Sequence, residues 1–208
     1  MATVVVKRLG LLTVVAIVAS CSTLAGAAAA TPPGNLPQTR VEPSFGAPLH
    51  HQMTTLVRAI KHDSTTLGAT VFFPEPAYVA MKTGAIPYPS NDYQHRLVSF
   101  FDLDLAAYRQ RLFVGARTTF VRVDAHAAYA QWIAPGACEN KIGYWHVPGV
   151  RLVFRRNGEI VSVAVDSLIS WRGVWYVVHL GPNPRPVDVG TVDDYESGPG
   201  VPGPAGGC

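Results

Sequence analysis

The stretch IGYWHVPGVRLVFRRNGEIVSVAVDSLISWRGVWYVVHL, residues 142–180, decides the fold. Asn157-Gly158 separates two alternating apolar runs, and this dipeptide favours the two-residue turn of a β-hairpin because both central residues need positive φ. Arg172-Gly173 predicts a second turn. The stretch therefore predicts a long antiparallel meander. The side chains expected on one face are Val150, Leu152, Phe154, Val161, Val163, Val165, Ile169 and Trp171.

The last run of this stretch, VWYVVHL at 174–180, is apolar on both faces. Such a run predicts a central strand that is covered on both sides. Earlier in the chain, the apolar residues of 49–60 recur at helical spacing, which predicts an amphipathic helix of about four turns. Helices followed by a meander predict an α+β domain with the helices packed on one face of a curved antiparallel sheet.

The middle of the chain predicts a mixture of short elements. Residues 65–84 suggest helical pieces broken by prolines, and residues 91–112 a further helix. ARTTFVRVD at 116–124 alternates and predicts a strand, whereas HAAYAQWI at 126–133 predicts a short helix. The caps expected for the helix of 91–112 are Asn91 or Asp92 and, later, Asp104.

The N-terminus has the layout of a secretory signal. Lys7 and Arg8 precede an apolar run of about ten residues, too short for a membrane-spanning helix. Residues 18–21, Val-Ala-Ser-Cys, resemble the bacterial lipobox, which implies cleavage before Cys21 and lipidation of its thiol. Ordinary secretion with cleavage after residues 28–30, Ala-Ala-Ala, is the alternative.

The remaining cysteines, Cys138 and Cys208, form an even pair in an oxidising compartment. A disulfide between them closes a loop of about 70 residues, which is worth roughly 4 kcal/mol at most. The sequence offers no CxxC pair, and its seven histidines have no HExxH or HxH spacing. We therefore expect a disulfide, no metal site and no cofactor.

These observations divide the chain into four parts: a signal peptide at 1–20, a lipid-anchored Pro/Ala-rich tether at 21–47, one α+β domain at 48–182 and a Pro/Gly-rich tail at 183–208. Without the signal peptide the net charge falls from +3 to +1, because that segment carries two cations and no acid. A nearly neutral, evenly charged chain gives no indication of nucleic-acid binding.

The order of elements over 48–182 resembles the nuclear transport factor two-like, cystatin-related cone fold, whose sheet curls around a pocket. In addition, ENKIGYWHVPGVRLVF and SLISWRGVWYVVHLGPNPRP are similar to stretches of uncharacterised lipoproteins of high-GC Gram-positive, actinobacterial type. That resemblance implies a location at the cell membrane, on the extracytoplasmic face, and it implies no chemistry.

Two classes of function stay open. The first is an envelope module that binds a small apolar or glycan ligand, or an envelope protein, without turnover. Its candidate ligand-binding residues are Trp145, Trp171, Arg172, Trp175 and Tyr176. The second is a small extracytoplasmic cone-fold enzyme in which Asp166 and a histidine polarise a substrate. Its candidate catalytic residues are Asp166, His146 and His179. Alternatively, the aromatic residues are core residues at strand spacing.

Overall fold

A computed structural model describes Met1 and residues 36–203 of the chain. The chain divides into two compact units, Met1–Ala30 and Thr31–Cys208, and every element below belongs to the second. The predicted signal peptide, Cys21 and Cys208 lie outside the described residues. In the second unit, helices pack against a six-stranded antiparallel sheet, which confirms the α+β class.

The helices occupy the first half of this unit: α1 (Ala47–His62), α2 (Thr65–Ala69), α3 (Glu75–Met81), α4 (Pro89–Asp92) and α5 (Ser99–Leu112). The predicted first helix is confirmed as α1, which buries Leu49, Met53, Leu56 and Ile60. A π-helical segment, Tyr93–Val98, joins α4 to α5 without a break.

The predicted caps within this continuous helix are wrong. Asn91 and Asp92 lie inside α4, which begins after Tyr88. Asp104 lies in the middle of α5, is 1% exposed and forms an ion pair with Arg185. The acid is therefore an internal anchor for a later segment, a role that helix-capping statistics do not anticipate.

The strands are β1 (Thr118–Asp124), β2 (Gln131–Ile133), β3 (Tyr144–Arg156), β4 (Glu159–Trp171), β5 (Val174–His179) and β6 (Glu196–Ser197). The main strand order is β1-β3-β4-β5; β2 also pairs with β3, and β6 with β4. Residues 126–133, predicted to be a short helix, instead form a 3-10 turn at Ala127–Tyr129 followed by β2.

The long hairpin of β3 and β4 confirms both predicted turns. Asn157 and Gly158 have φ of 51° and 94°, and Arg172 and Gly173 have φ of 49° and 81°. The expected face is also present, since Leu152 pairs with Val163 and Phe154 with Val161. The core joins this face to apolar residues of α1 and α5.

The prediction of a central last strand is wrong. β5 ends the main strand order, its two faces are covered by side chains such as Phe45 against Trp175 and Phe73 against Tyr176, and another segment lies along its outer edge. There, the Phe73 amide donates to the Val177 carbonyl at 2.8 Å, and the Val177 amide donates to the Val71 carbonyl at 3.0 Å. The sheet is not strongly curled, so the predicted cone is not shown.

At the opposite end, β1 pairs with β3, and within residues 36–203 it has no strand partner on its other side. Its pairing with β3 shifts register between Phe120 and Arg122, which is the signature of a β-bulge. Arg122 and Asp124 form an ion pair of 2.8 Å on this strand.

Candidate functional site

A cavity of about 360 Å³ lies where the helices meet one end of the sheet. Its wall comes from three regions: α3 with the π segment, the loop before β3, and the neighbouring strands β3, β4 and β5. The lining residues are Phe73, Tyr78, Met81, Lys82, Arg96, Leu97, Cys138, Asn140, Tyr144, His146, Pro148, Asp166, Ser167, Ile169, Val178, His179 and Asn183.

The π-helical segment supplies Arg96 and Leu97 to this wall. Arg96 donates to both carboxylate oxygens of Asp92, at 2.7 Å and 2.6 Å, and to the hydroxyl of Tyr78 at 3.1 Å. The Tyr78 hydroxyl in turn donates to Asp92. These hydrogen bonds hold the guanidinium against its own helix and lower the pKa of Asp92.

On β4 the pairing with β5 shifts register between Ser167 and Leu168. Ser167 lies at the cavity beside this irregularity, and its hydroxyl is 2.6 Å from Nε2 of His146 on β3. Irregular strand and helix geometry is common next to functional sites, because it redirects side chains. Here a π segment and a register shift border the same cavity.

The loop before β3 completes the wall. Cys138 and Glu139 have φ of 53° and 60°, in the left-handed region. The Asn140 amide group donates to the Cys138 carbonyl at 2.8 Å and to the Tyr144 hydroxyl at 3.3 Å. Cys138 is half-buried, and Cys208 lies outside the described residues, so their pairing stays a prediction.

Asp166 and His179, two titratable groups of the cavity, are both shifted towards their neutral forms. Burial, reinforced by the negative charges of Asp193 and Asp104, raises the pKa of Asp166 to about 7. Burial also lowers the pKa of His179 to about 4. The neighbours that lower it further are Arg96, His146, Lys82 and Arg185.

The three predicted catalytic residues, Asp166, His146 and His179, all line this cavity. Asp166 donates no hydrogen bond to either histidine and accepts none from them, whereas His146 is bonded to Ser167. The structure therefore brings the candidates together in one space without forming an acid–base pair between them.

The five predicted ligand-binding residues lie outside the cavity lining. Several hold residues 36–46, part of the predicted tether. The indole N–H of Trp145 donates to the Arg40 carbonyl at 3.0 Å, and that of Trp175 to the Pro43 carbonyl at 3.2 Å. The Arg172 amide donates to the side chain of Gln38 at 2.6 Å. Trp171 and Tyr176 pack edge-on against Phe73.

Sequence reasoning missed the helical side of the site, namely Tyr78, Lys82 and Arg96, as well as Asn140 and Ser167. The one local signal was the i, i+4 spacing of Asp92 and Arg96, which predicts an ion pair on a helix but no cavity. α3 packs beside strands that begin more than sixty residues later in the chain, and no local sequence signal indicates such a contact.

Among the described residues, no group of three His, Cys, Asp or Glu side chains is arranged to hold a metal ion. In the same part of the chain, no helix has the length and apolar character needed to cross a membrane. Comparison with protein-family models, curated proteins and solved structures finds no match to this chain.

Proposed function

We propose that this chain is an extracytoplasmic, membrane-anchored module that binds a small ligand in the cavity without turnover. The observation that carries the proposal is the composition of the cavity wall, which combines apolar side chains such as Leu97 and Ile169 with polar groups such as Asp166 and His179. A concave site of this size that offers both apolar contact and polar groups is the usual place for a small molecule to bind.

The polar groups of the wall support an occupant. Within residues 36–203, neither the Asp166 carboxyl nor the His179 ring makes a side-chain hydrogen bond. Both side chains are half-buried, and neither has a polar atom that is buried away from solvent without a partner. A ligand that bonds to these groups exchanges their bonds to water for bonds within the site, which gives the binding its orientation in addition to apolar contact.

The location is proposed from sequence. The lipobox-like residues before Cys21 support a lipid anchor, and the resemblance of two stretches to actinobacterial lipoproteins supports the cell envelope. A glycan or an envelope protein is the alternative occupant or partner for such a module. The bonds from Trp145 and Trp175 to residues 40 and 43 leave the cavity as the better-supported ligand site.

Native mass spectrometry of the full-length protein, purified from its own membrane, tests this proposal. Val178 lines the cavity from β5, and Val178→Trp should fill part of it. Wild-type protein should carry a bound small molecule, and Val178→Trp should lose it. Val174→Trp, on the same strand but outside the lining, is the matched control and should keep the ligand.

Two results together would contradict cavity binding. The wild-type protein would carry no bound mass as purified, and after incubation with a membrane extract all three proteins would take up the same amount of ligand. Circular dichroism spectra of the two Trp variants must match that of the wild type, because a misfolded Val178→Trp protein would also lose the ligand.

An enzyme using Asp166 and a histidine is the second candidate. It is favoured by a carboxyl with a pKa of about 7 beside an uncharged imidazole, because an acid poised near neutral pH can both give and accept a proton. This second candidate resembles the cone-fold enzymes only in the order of its elements, in which helices precede a final meander.

Turnover of the co-purified molecule separates the two candidates. The purified protein is incubated with that molecule in excess, and products are followed by mass spectrometry. Loss of conversion in both Asp166→Asn and His179→Gln, with binding retained, would establish the enzyme. Unchanged ligand after prolonged incubation favours the binding module.

A further inference from the structure

Lys82 brings to the cavity wall a positive charge that forms no ion pair with a described carboxylate. It lies just after α3, is half-buried and forms no ion pair within residues 36–203. Its ammonium group lies 4.9 Å from the centre of the Tyr78 ring. Burial lowers the pKa of Lys82; the charge of exposed Glu139 opposes this effect, Arg96 adds to it, and Asp92 opposes it. The desolvation of this cation is therefore only partly compensated within the protein.

The second cation of the wall is already engaged. Arg96 is bonded to both carboxylate oxygens of Asp92, so its charge is largely neutralised at short range. Of the two described Lys and Arg side chains that line the cavity, Lys82 is therefore the one left to pair with a bound anion. This asymmetry favours a singly charged group over a dianionic phosphate, which would require several unpaired cations.

The rest of the wall is consistent with an anion near Lys82. Burial holds the His179 ring in the neutral form, and the positive charges around it, among them Arg96 and Lys82, lower its pKa further. Asp166, the one acid among the lining residues, has a pKa near 7 and is therefore protonated in a substantial fraction of molecules. A protonated carboxyl donates a hydrogen bond to an anion instead of repelling it.

From this arrangement we infer that the ligand is a small amphipathic carboxylic acid, whose carboxylate pairs with Lys82 and whose apolar part contacts Phe73, Leu97 and Ile169. This inference rests on the proposed function and specifies its ligand class. A hydrocarbon would give the Lys82 ammonium neither a hydrogen-bond acceptor nor a counter-charge, and the hydroxyls of a neutral glycan would give it acceptors but no counter-charge.

The test compares two probes that differ in charge alone: hydrocinnamate, a carboxylate on a short aromatic chain, and its neutral amide. Full-length protein in phospholipid nanodiscs is titrated with each probe by isothermal calorimetry, with empty nanodiscs as the blank. The acid should bind about tenfold more tightly than the amide, since one charge-assisted contact is worth about one power of ten.

The Lys82→Met variant should bind the acid about tenfold more weakly and the amide unchanged. Lys82→Arg should retain the preference, which shows that charge at this position is responsible. Lys61→Met, an exposed position on α1, is the matched control and should behave as the wild type. The lysine variants are compared by circular dichroism and thermal unfolding, so that loss of fold is recognised.

Equal affinity for acid and amide, or an acid preference that survives in Lys82→Met, would overturn the inference. Failure of both probes to bind would also overturn this ligand class. In each of these cases the proposed function stands or falls separately, because native mass spectrometry with Val178→Trp detects a cavity ligand of any charge.

Discussion

The carboxyl group of Asp166 changes its protonation near neutral pH in the folded protein. Its pKa of about 7 lies well above the usual value of 3.8, because the folded protein buries it near two other acids. The folded state therefore holds a proton that the unfolded state releases between about pH 4 and pH 7. By linkage, this group lowers the free energy of unfolding as pH rises through that interval, and the full penalty remains above pH 7.

Replacing Asp166 by Asn should remove this penalty. The variant should be more stable than the wild type at pH 8, by an amount on the order of 2 kcal/mol after allowance for the remaining hydration of the carboxyl. The difference should shrink as pH falls towards 4. Urea denaturation of both proteins at several pH values measures it.

Asp188→Asn, at an exposed position, is the control for a general effect of charge. If the Asp166→Asn variant is less stable than the wild type at pH 8, the ionised carboxylate is instead a structural partner.

His179 contributes to stability in the opposite direction. Because its pKa is lowered in the folded protein, its stabilising contribution is fully present above about pH 6.5 and is lost as pH falls towards 4. The comparison of variant with wild type cancels that contribution.

At the scale of elements, α5 holds the segment that follows β5. Asp104 accepts hydrogen bonds from the backbone amides of Gly181 and Thr191, both at 2.9 Å, and forms a buried ion pair with Arg185. One turn later, the Tyr108 hydroxyl lies 2.6 Å from the Ala164 carbonyl oxygen and accepts from the Asp193 amide at 3.0 Å. Two side chains of one helix thus fix residues 181–193.

Asp104→Asn should destabilise the protein by roughly 3–5 kcal/mol, because it leaves the Arg185 guanidinium buried without its carboxylate. The double variant Asp104→Asn/Arg185→Met should recover a large part of this loss. Thermal unfolding measures both, and limited proteolysis should show earlier cleavage between residues 185 and 195 in the single variant. A single variant as stable as the double would contradict the ion pair as the cause.

Elements whose signals are local were predictable, and elements defined by distant contacts were not. Asn157-Gly158 specifies its hairpin turn because φ at both residues is a local property. β5 is covered by residues about a hundred or more positions earlier, with Phe45 on Trp175, Phe73 on Tyr176 and Phe72 paired to its outer edge, so its sequence resembled that of a central strand. For the site, strand residues such as Asp166 and His179 were found by their chemistry, whereas Lys82 and Arg96 required the tertiary packing of α3 and the π segment.

At the scale of the whole molecule, the proposed anchor governs where the protein acts. Cys21→Ala should release the protein from the membrane fraction or leave it as uncleaved precursor, because the thiol is the proposed site of lipidation. Cell fractionation with immunoblotting measures the distribution. The tail variant Cys208→Ala serves as the matched control and should stay with the membrane.

A cleaved Cys21→Ala protein that remains attached to the membrane would contradict lipidation at this position and favour another mode of attachment. A soluble wild-type protein cleaved after residues 28–30 would support ordinary secretion. Intact mass measurement of the mature N-terminus distinguishes these results.

The bulge and the ion pair on β1 bear on self-association. A strand with one partner exposes a row of amide and carbonyl groups that can recruit a strand from another copy, which is the first step of sheet-to-sheet aggregation. Copies attached to one membrane face would meet at high local concentration. The register shift between Phe120 and Arg122 distorts that row, and the charges of Arg122 and Asp124 oppose a close neighbour. The bulge and the charged pair of β1 thus oppose polymerisation of the protein through its own sheet.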